Sequence, residues 1–140
     1  MSIQSHTKRR YLKAAVALLP MIGAAAWHWP VMAAAGEARA RSNLLRLVSD
    51  TQAAWVGKAL LPQVGHQTPA ALVRALSSRL SLFSGIELTG ICEMVALQQA
   101  FLKAVSADFA EGRCLMVSGW VLTRTEVELC TLAALSATRA

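Results

Sequence analysis

At 140 residues the chain has room for one domain, and no internal repeat divides it. It is 55 % hydrophobic and only 16 % charged, against about 25 % charged residues in ordinary soluble domains, a balance that points to a membrane-associated segment, a large partner-facing surface, or both. The net charge of +6 does not indicate nucleic acid: Lys8, Arg9, Arg10 and Lys13 cluster near the start, the part beyond residue 35 carries only two more basic than acidic groups, and those show no aromatic interleaving.

The first 13 residues are polar and basic, and the apolar run Ala14 to Ala26 follows. That run is too short for the roughly 20 residues of a spanning helix and matches the core of a signal peptide. Ala33 and Ala35 then offer the small residues that a signal peptidase requires, with cleavage before Gly36. Around the basic cluster, Thr7-Lys8-Arg9-Arg10-Tyr11-Leu12-Lys13 resembles the twin-arginine export signal, with Lys8 in place of the first arginine and Tyr11 in place of phenylalanine. That resemblance implies export of a folded protein, usually one that carries a cofactor or travels with a partner that does. Residues 14–35 are also long enough to remain as an anchor, with Trp27 and Trp29 flanking His28 at the membrane interface. The sequence therefore divides into residues 1–35, a signal or retained anchor, and residues 36–140, a single helical domain.

Apolar positions from Ser42 to Leu61, including Leu44, Leu47, Val48, Trp55 and Leu60, predict a first helix that Pro62 ends. Thr68-Pro69 is a start signal, a threonine cap followed by proline at the first helical position. Leu72, Val73, Leu76 and Leu80 line the second helix, which Ser84-Gly85 closes. A third helix is predicted over 91–110 and stopped by Glu111-Gly112. Residues 113–122 read as extended chain turning at Ser118-Gly119. Thr123-Arg124-Thr125-Glu126 matches a capping box and opens a last helix that is apolar on more than one side. The expected fold class is all-α: a small bundle of about four helices with one short extended segment.

Catalytic chemistry is hard to find. His6 and His28 fall in the leader, and His66 stands alone in a polar link. No Cys-x-x-Cys spacing exists for haem or a redox site. Cys92, Cys114 and Cys130 cannot all pair with one another; Cys92 and Cys130 read as buried apolar residues, and they are also the most plausible disulfide pair once the chain is exported. Cys114 as a nucleophile would lack a base, and the acidic residues are dispersed. These features predict a protein that is not an enzyme and holds no metal or cofactor of its own. Trp120, with Leu122 and Arg124, fits either a packed core position or an anchor on a partner, since Trp and Arg are favoured where interfaces concentrate their energy.

The leader on a small Ala/Leu-rich helical chain, with Leu47-Val48-Ser49-Asp50-Thr51 in its first helix, resembles the small subunits of membrane-bound, flavin-dependent sugar and alcohol dehydrogenases of the gluconate, sorbitol and fructose type. The resemblance covers about a fifth of the chain. It implies a non-catalytic subunit that escorts a larger, FAD-carrying dehydrogenase through the twin-arginine machinery and stays with it in the periplasm, on or near the cytoplasmic membrane. A free-standing periplasmic or anchored helical protein that binds lipid or a small apolar ligand is the alternative.

Overall fold

A computed structural model describes residues 31–48, 51–65 and 67–138. The proposed export motif Thr7 to Lys13, the tryptophans and histidine at 27–29, and His66 lie outside the described residues. Contacts divide the chain into two units, Met1–Ala35 and Gly36–Ala140. Residues 31–45 are helical (α1), and positions 31–35, which belong to the first unit, are exposed. The second unit continues with α2 (Thr51–Val64), α3 (Pro69–Ser84), α4 (Met94–Ala110), the strands β1 (Cys114–Val117) and β2 (Trp120–Thr123), and α5 (Arg124–Ala137). The described residues are mostly helical with one small antiparallel sheet, which is compatible with an all-α bundle.

The described residues hold five helices where four were expected, because the apolar pattern over 42–61 is interrupted. At its end α1 tightens: the N–H groups of Leu47 and Val48 donate three residues back, to Leu44 and Leu45, the geometry that satisfies orphan groups at a helix terminus. The Arg46 guanidinium turns to the Cys92 carbonyl, 3.1 Å away. Nothing in the sequence breaks the periodicity there, so spacing alone reads through the gap. Pro62 also fails to stop its helix. It sits in the last turn of α2, where it removes one backbone bond, and the chain leaves the helix at Gly65 with φ 75°.

Other boundaries follow local chemistry. Ala71 donates its N–H to Thr68 Oγ1 at 3.2 Å, Pro69 occupies the first turn, and Gly85 closes α3 in the left-handed conformation. The start of α4 falls at Met94, three residues later than the pattern suggested. Residues before it form a loop held by buried Asn43, which donates to the carbonyls of Leu88 (2.9 Å) and Gly90 (3.1 Å). The capping box at Thr123 is complete: Glu126 N–H donates to Thr123 Oγ1, and Thr123 N–H donates to Glu126 Oε2 at 2.8 Å.

The centre of the domain is α5, packed by α2, α3, α4 and the hairpin. Its apolar surplus is covered by the domain's own core, with Leu129 and Leu132 in the main cluster beside Leu44, Leu76 and Leu97. A smaller cluster joins Leu60 of α2 to Val117 and Val127. The approach of α2 to α5 is set by Gly57, where a Cβ would lie 2.0 Å from the Cys130 carbonyl oxygen. No side chain fits without moving one helix. Gly57→Ala is therefore expected to destabilise the domain by about 1–3 kcal/mol, the usual cost of overpacking, read as a fall in the urea midpoint with an unchanged slope.

Candidate functional site

The hairpin is fixed at its tip and at its base. Ser118 (φ 50°) and Gly119 (φ 85°) are both left-handed, the pairing that a two-residue turn needs to match the twist of its strands. The register sets Val117 against Trp120, Met116 against Val121, Leu115 against Leu122 and Cys114 against Thr123. Side chains alternate between faces, so Leu115, Val117, Trp120 and Leu122 share one face. On that side Val117 is buried and Leu122 half-buried, joined to the smaller cluster.

Trp120, at the turn, is 75 % exposed. It is not a core residue. With Val117 and Leu122 it lines a cleft of about 300 Å³ whose opposite wall is Trp55, Val56 and Ala59 of α2. Trp55 is 73 % exposed, although its spacing suggested the buried face of a helix. The residues that α2 buries are Gly57 and Leu60. Two tryptophans from separate elements thus flank one apolar cleft open to solvent.

Arg124, the third expected interface residue, is placed elsewhere. It begins α5, and its Nε donates to Glu128 Oε1 at 2.9 Å. Behind it lies a charged network that joins α3, α4 and α5. Arg79 grips Glu128 through two nitrogens, at 2.8 and 3.1 Å. Asp108, with 0 % exposure, accepts from the Thr125 N–H (2.7 Å), the Thr125 hydroxyl (2.6 Å) and Arg113 Nε (2.8 Å). Arg113 also pairs with Glu111. The depressions lined by Arg79, Arg113 and Arg124 are therefore supplied with charge that is already matched by Asp108, Glu111 and Glu128.

The three thiols are free. Cys92 is in the main cluster, its Sγ–H directed at the Glu87 carbonyl, whereas Cys130 packs on the smaller cluster. Burial, with a smaller contribution from the nearby Glu126 charge, pushes the Cys130 thiol up to about 11, which keeps it protonated and unreactive. Cys114 is exposed on β1. Among the described residues no three His, Cys, Asp or Glu side chains converge as a metal site. No described helix is long and apolar enough to cross a membrane.

Comparison with family models, curated proteins and solved structures finds no match.

Burial raises the Asp108 carboxyl, but the bonds from Thr125, Arg113 and the Thr125 backbone, with the Arg79 charge, outweigh it and hold the group below its ordinary value of 3.8. A carboxylate depressed in the folded state contributes stability at pH values above its unfolded value and loses it as pH falls through the folded one. Asp108→Asn is expected to cost about 3 kcal/mol at pH 7, the scale for removing one partner of a buried pair. The difference from the parent protein should shrink as unfolding is followed below pH 3.8.

Proposed function

We propose that the chain is a non-catalytic accessory subunit, which binds a larger folded dehydrogenase, supplies its twin-arginine export signal and remains attached to it in the periplasm. The observation that carries this reading is the exposed tryptophan pair across the apolar cleft. Burying a tryptophan removes a large apolar area from water at low entropic cost, so exposed clustered tryptophans favour a partner surface. Solvent-facing Met116 and Val121 extend apolar character beyond the cleft. The resemblance of the leader and of Leu47-Val48-Ser49-Asp50-Thr51 to dehydrogenase small subunits supplies the partner class, a chain carrying FAD, while no cofactor is assigned to this chain.

Cleavage between Ala35 and Gly36 would release the unit that holds this surface. Residues 33–36 are helical, with 33–35 exposed. A peptidase takes its substrate extended, so cleavage requires α1 to unwind across that bond.

The cleft also favours a second reading, a small apolar ligand. Its volume of about 300 Å³ meets the lower end of the usual range for ligand sites, and Val56, Ala59, Val117 and Leu122 offer such a ligand apolar walls.

Isolation of the tagged protein from its native host distinguishes the two. Under the subunit reading a flavin-containing dehydrogenase co-purifies, and the Trp55→Ala/Trp120→Ala double variant loses it. Truncation of a tryptophan anchor costs about 2 kcal/mol or more, roughly thirtyfold in affinity, while exposed positions leave stability within about 0.5 kcal/mol. Recovery of a lone chain carrying an apolar small molecule in native mass spectra would overturn the subunit reading.

The leader has its own test. Residues 1–35 fused to a folded fluorescent reporter are expected to deliver it to the periplasm, and Arg9→Gln to leave it in the cytoplasm. Equal export of the Arg9→Gln fusion would remove the twin-arginine assignment.

A further inference from the structure

The hairpin carries more apolar surface than one core can cover. An antiparallel pair with one solvated face normally alternates polar and apolar residues, yet all of β1 and Trp120-Val121-Leu122 of β2 are apolar, and the one polar residue of the two strands, Thr123, is buried at the base in the helix cap. One face turns to the clusters beneath it. The other presents Cys114, Met116 and Val121, all exposed.

The register decides where the backbone groups of β1 point. Val117 and Trp120 flank the two-residue turn as a hydrogen-bonded pair, and at the base Arg124 N–H donates to the Arg113 carbonyl at 2.9 Å. Alternation between these points leaves Cys114 and Met116 in non-hydrogen-bonded positions, with N–H and C=O directed away from β2. Among the described residues none meets these four groups. A strand edge that is to stay alone is normally blunted by lysine, proline or a bulge. The β1 strand has none of these.

We infer that this edge pairs with the same edge of a second copy of the chain, giving a four-stranded sheet in the order β2–β1–β1–β2. A two-fold axis at Leu115 puts Cys114 of each copy against Met116 of the other, where both pairs exchange N–H and C=O, four hydrogen bonds in all. Leu115 faces its own counterpart on the inner face. The edge is its own complement: donors meet acceptors, no charge lies within β1, and Arg113 falls opposite Val117, where it meets no like charge. The pairing also converts a two-stranded ribbon, marginal by itself, into a sheet of four strands. It uses an edge distinct from the Trp55–Trp120 cleft and does not rest on the subunit reading.

Sedimentation of the full-length protein in a mild non-ionic detergent, over a concentration series, provides the test. The parent protein and Met116→Ala, which keeps the backbone donor, are expected to dimerise. Met116→Pro removes an outward N–H at an edge where proline is tolerated, and should weaken association at least about tenfold with an unchanged helical circular dichroism spectrum. In a Cys114→Ser background, Leu115→Cys places two thiols at a close non-hydrogen-bonded pair, so mild oxidation should yield a covalent dimer that Met116→Pro suppresses. A parent protein that stays monomeric, a dimer indifferent to Met116→Pro, or Leu115→Cys that fails to cross-link would each overturn the inference.

Discussion

The domain depends on how one buried carboxylate is satisfied. An ionised Asp108 at 0 % exposure would cost several kcal/mol if it were unpaired, and it is held by three donors from two places in the chain. Thr125 supplies its backbone N–H and hydroxyl from the first turn of α5, where backbone donors are otherwise orphaned. Arg113 supplies the third at the foot of the hairpin. One side chain thus joins the end of α4 to the start of α5 and closes the path of 11 residues between Arg113 and Thr125 that contains both strands. The bond from Arg124 N–H to the Arg113 carbonyl completes that base. Arg79 reaches the same region from α3, touching Thr125 and Glu128, so three helices and the hairpin share one charged knot.

The tryptophan pair is a geometric consequence of two further constraints. Gly57 must face α5, because only a glycine permits the approach to the Cys130 carbonyl. Two residues are about 200° apart around a helix, so a Gly57 that faces inward turns Trp55 towards solvent. Ala59, four residues after Trp55, returns to the same side and lines the cleft with it. On the other wall, the left-handed pair Ser118-Gly119 closes the hairpin directly before Trp120. Both rings are exposed because of backbone requirements elsewhere, which gives the cleft a fixed position relative to the core.

What could be read from the sequence was what a few neighbouring residues decide. Thr68-Pro69, Gly85, the Ser118-Gly119 turn and the Thr123–Glu126 box all act within four positions, and each terminus or turn lies where its chemistry puts it. The sequence misleads where distance matters. The gap between α1 and α2 carries no glycine or proline, and it is held partly by Arg46 reaching a carbonyl 46 residues away. Trp55 sits on an apolar spacing that periodicity cannot assign to the inside or the outside. Gly57 was the available signal, since a glycine in a helix interior costs stability unless close packing requires it. Asp108 resembled any helix-terminal acid, because its partner Thr125 lies beyond a hairpin. The leader motif from Thr7 to Lys13 rests on its resemblance alone.

Anchoring and exposure in the hairpin are linked. A two-stranded ribbon with apolar residues on both faces has little reason to hold its shape in water. Here the base is fixed by Asp108, Arg113 and Thr125, and Val117 plugs the smaller cluster, so the ribbon is ordered before anything binds it. A preformed surface spares a partner the entropic cost of ordering it. The same bonds make binding and stability interdependent: whatever covers Trp120 or extends β1 favours the folded domain by mass action, and whatever protonates or removes Asp108 loosens the surface from its base. The charged knot is thus a condition for the proposed recognition, although none of its members needs to touch the proposed partner.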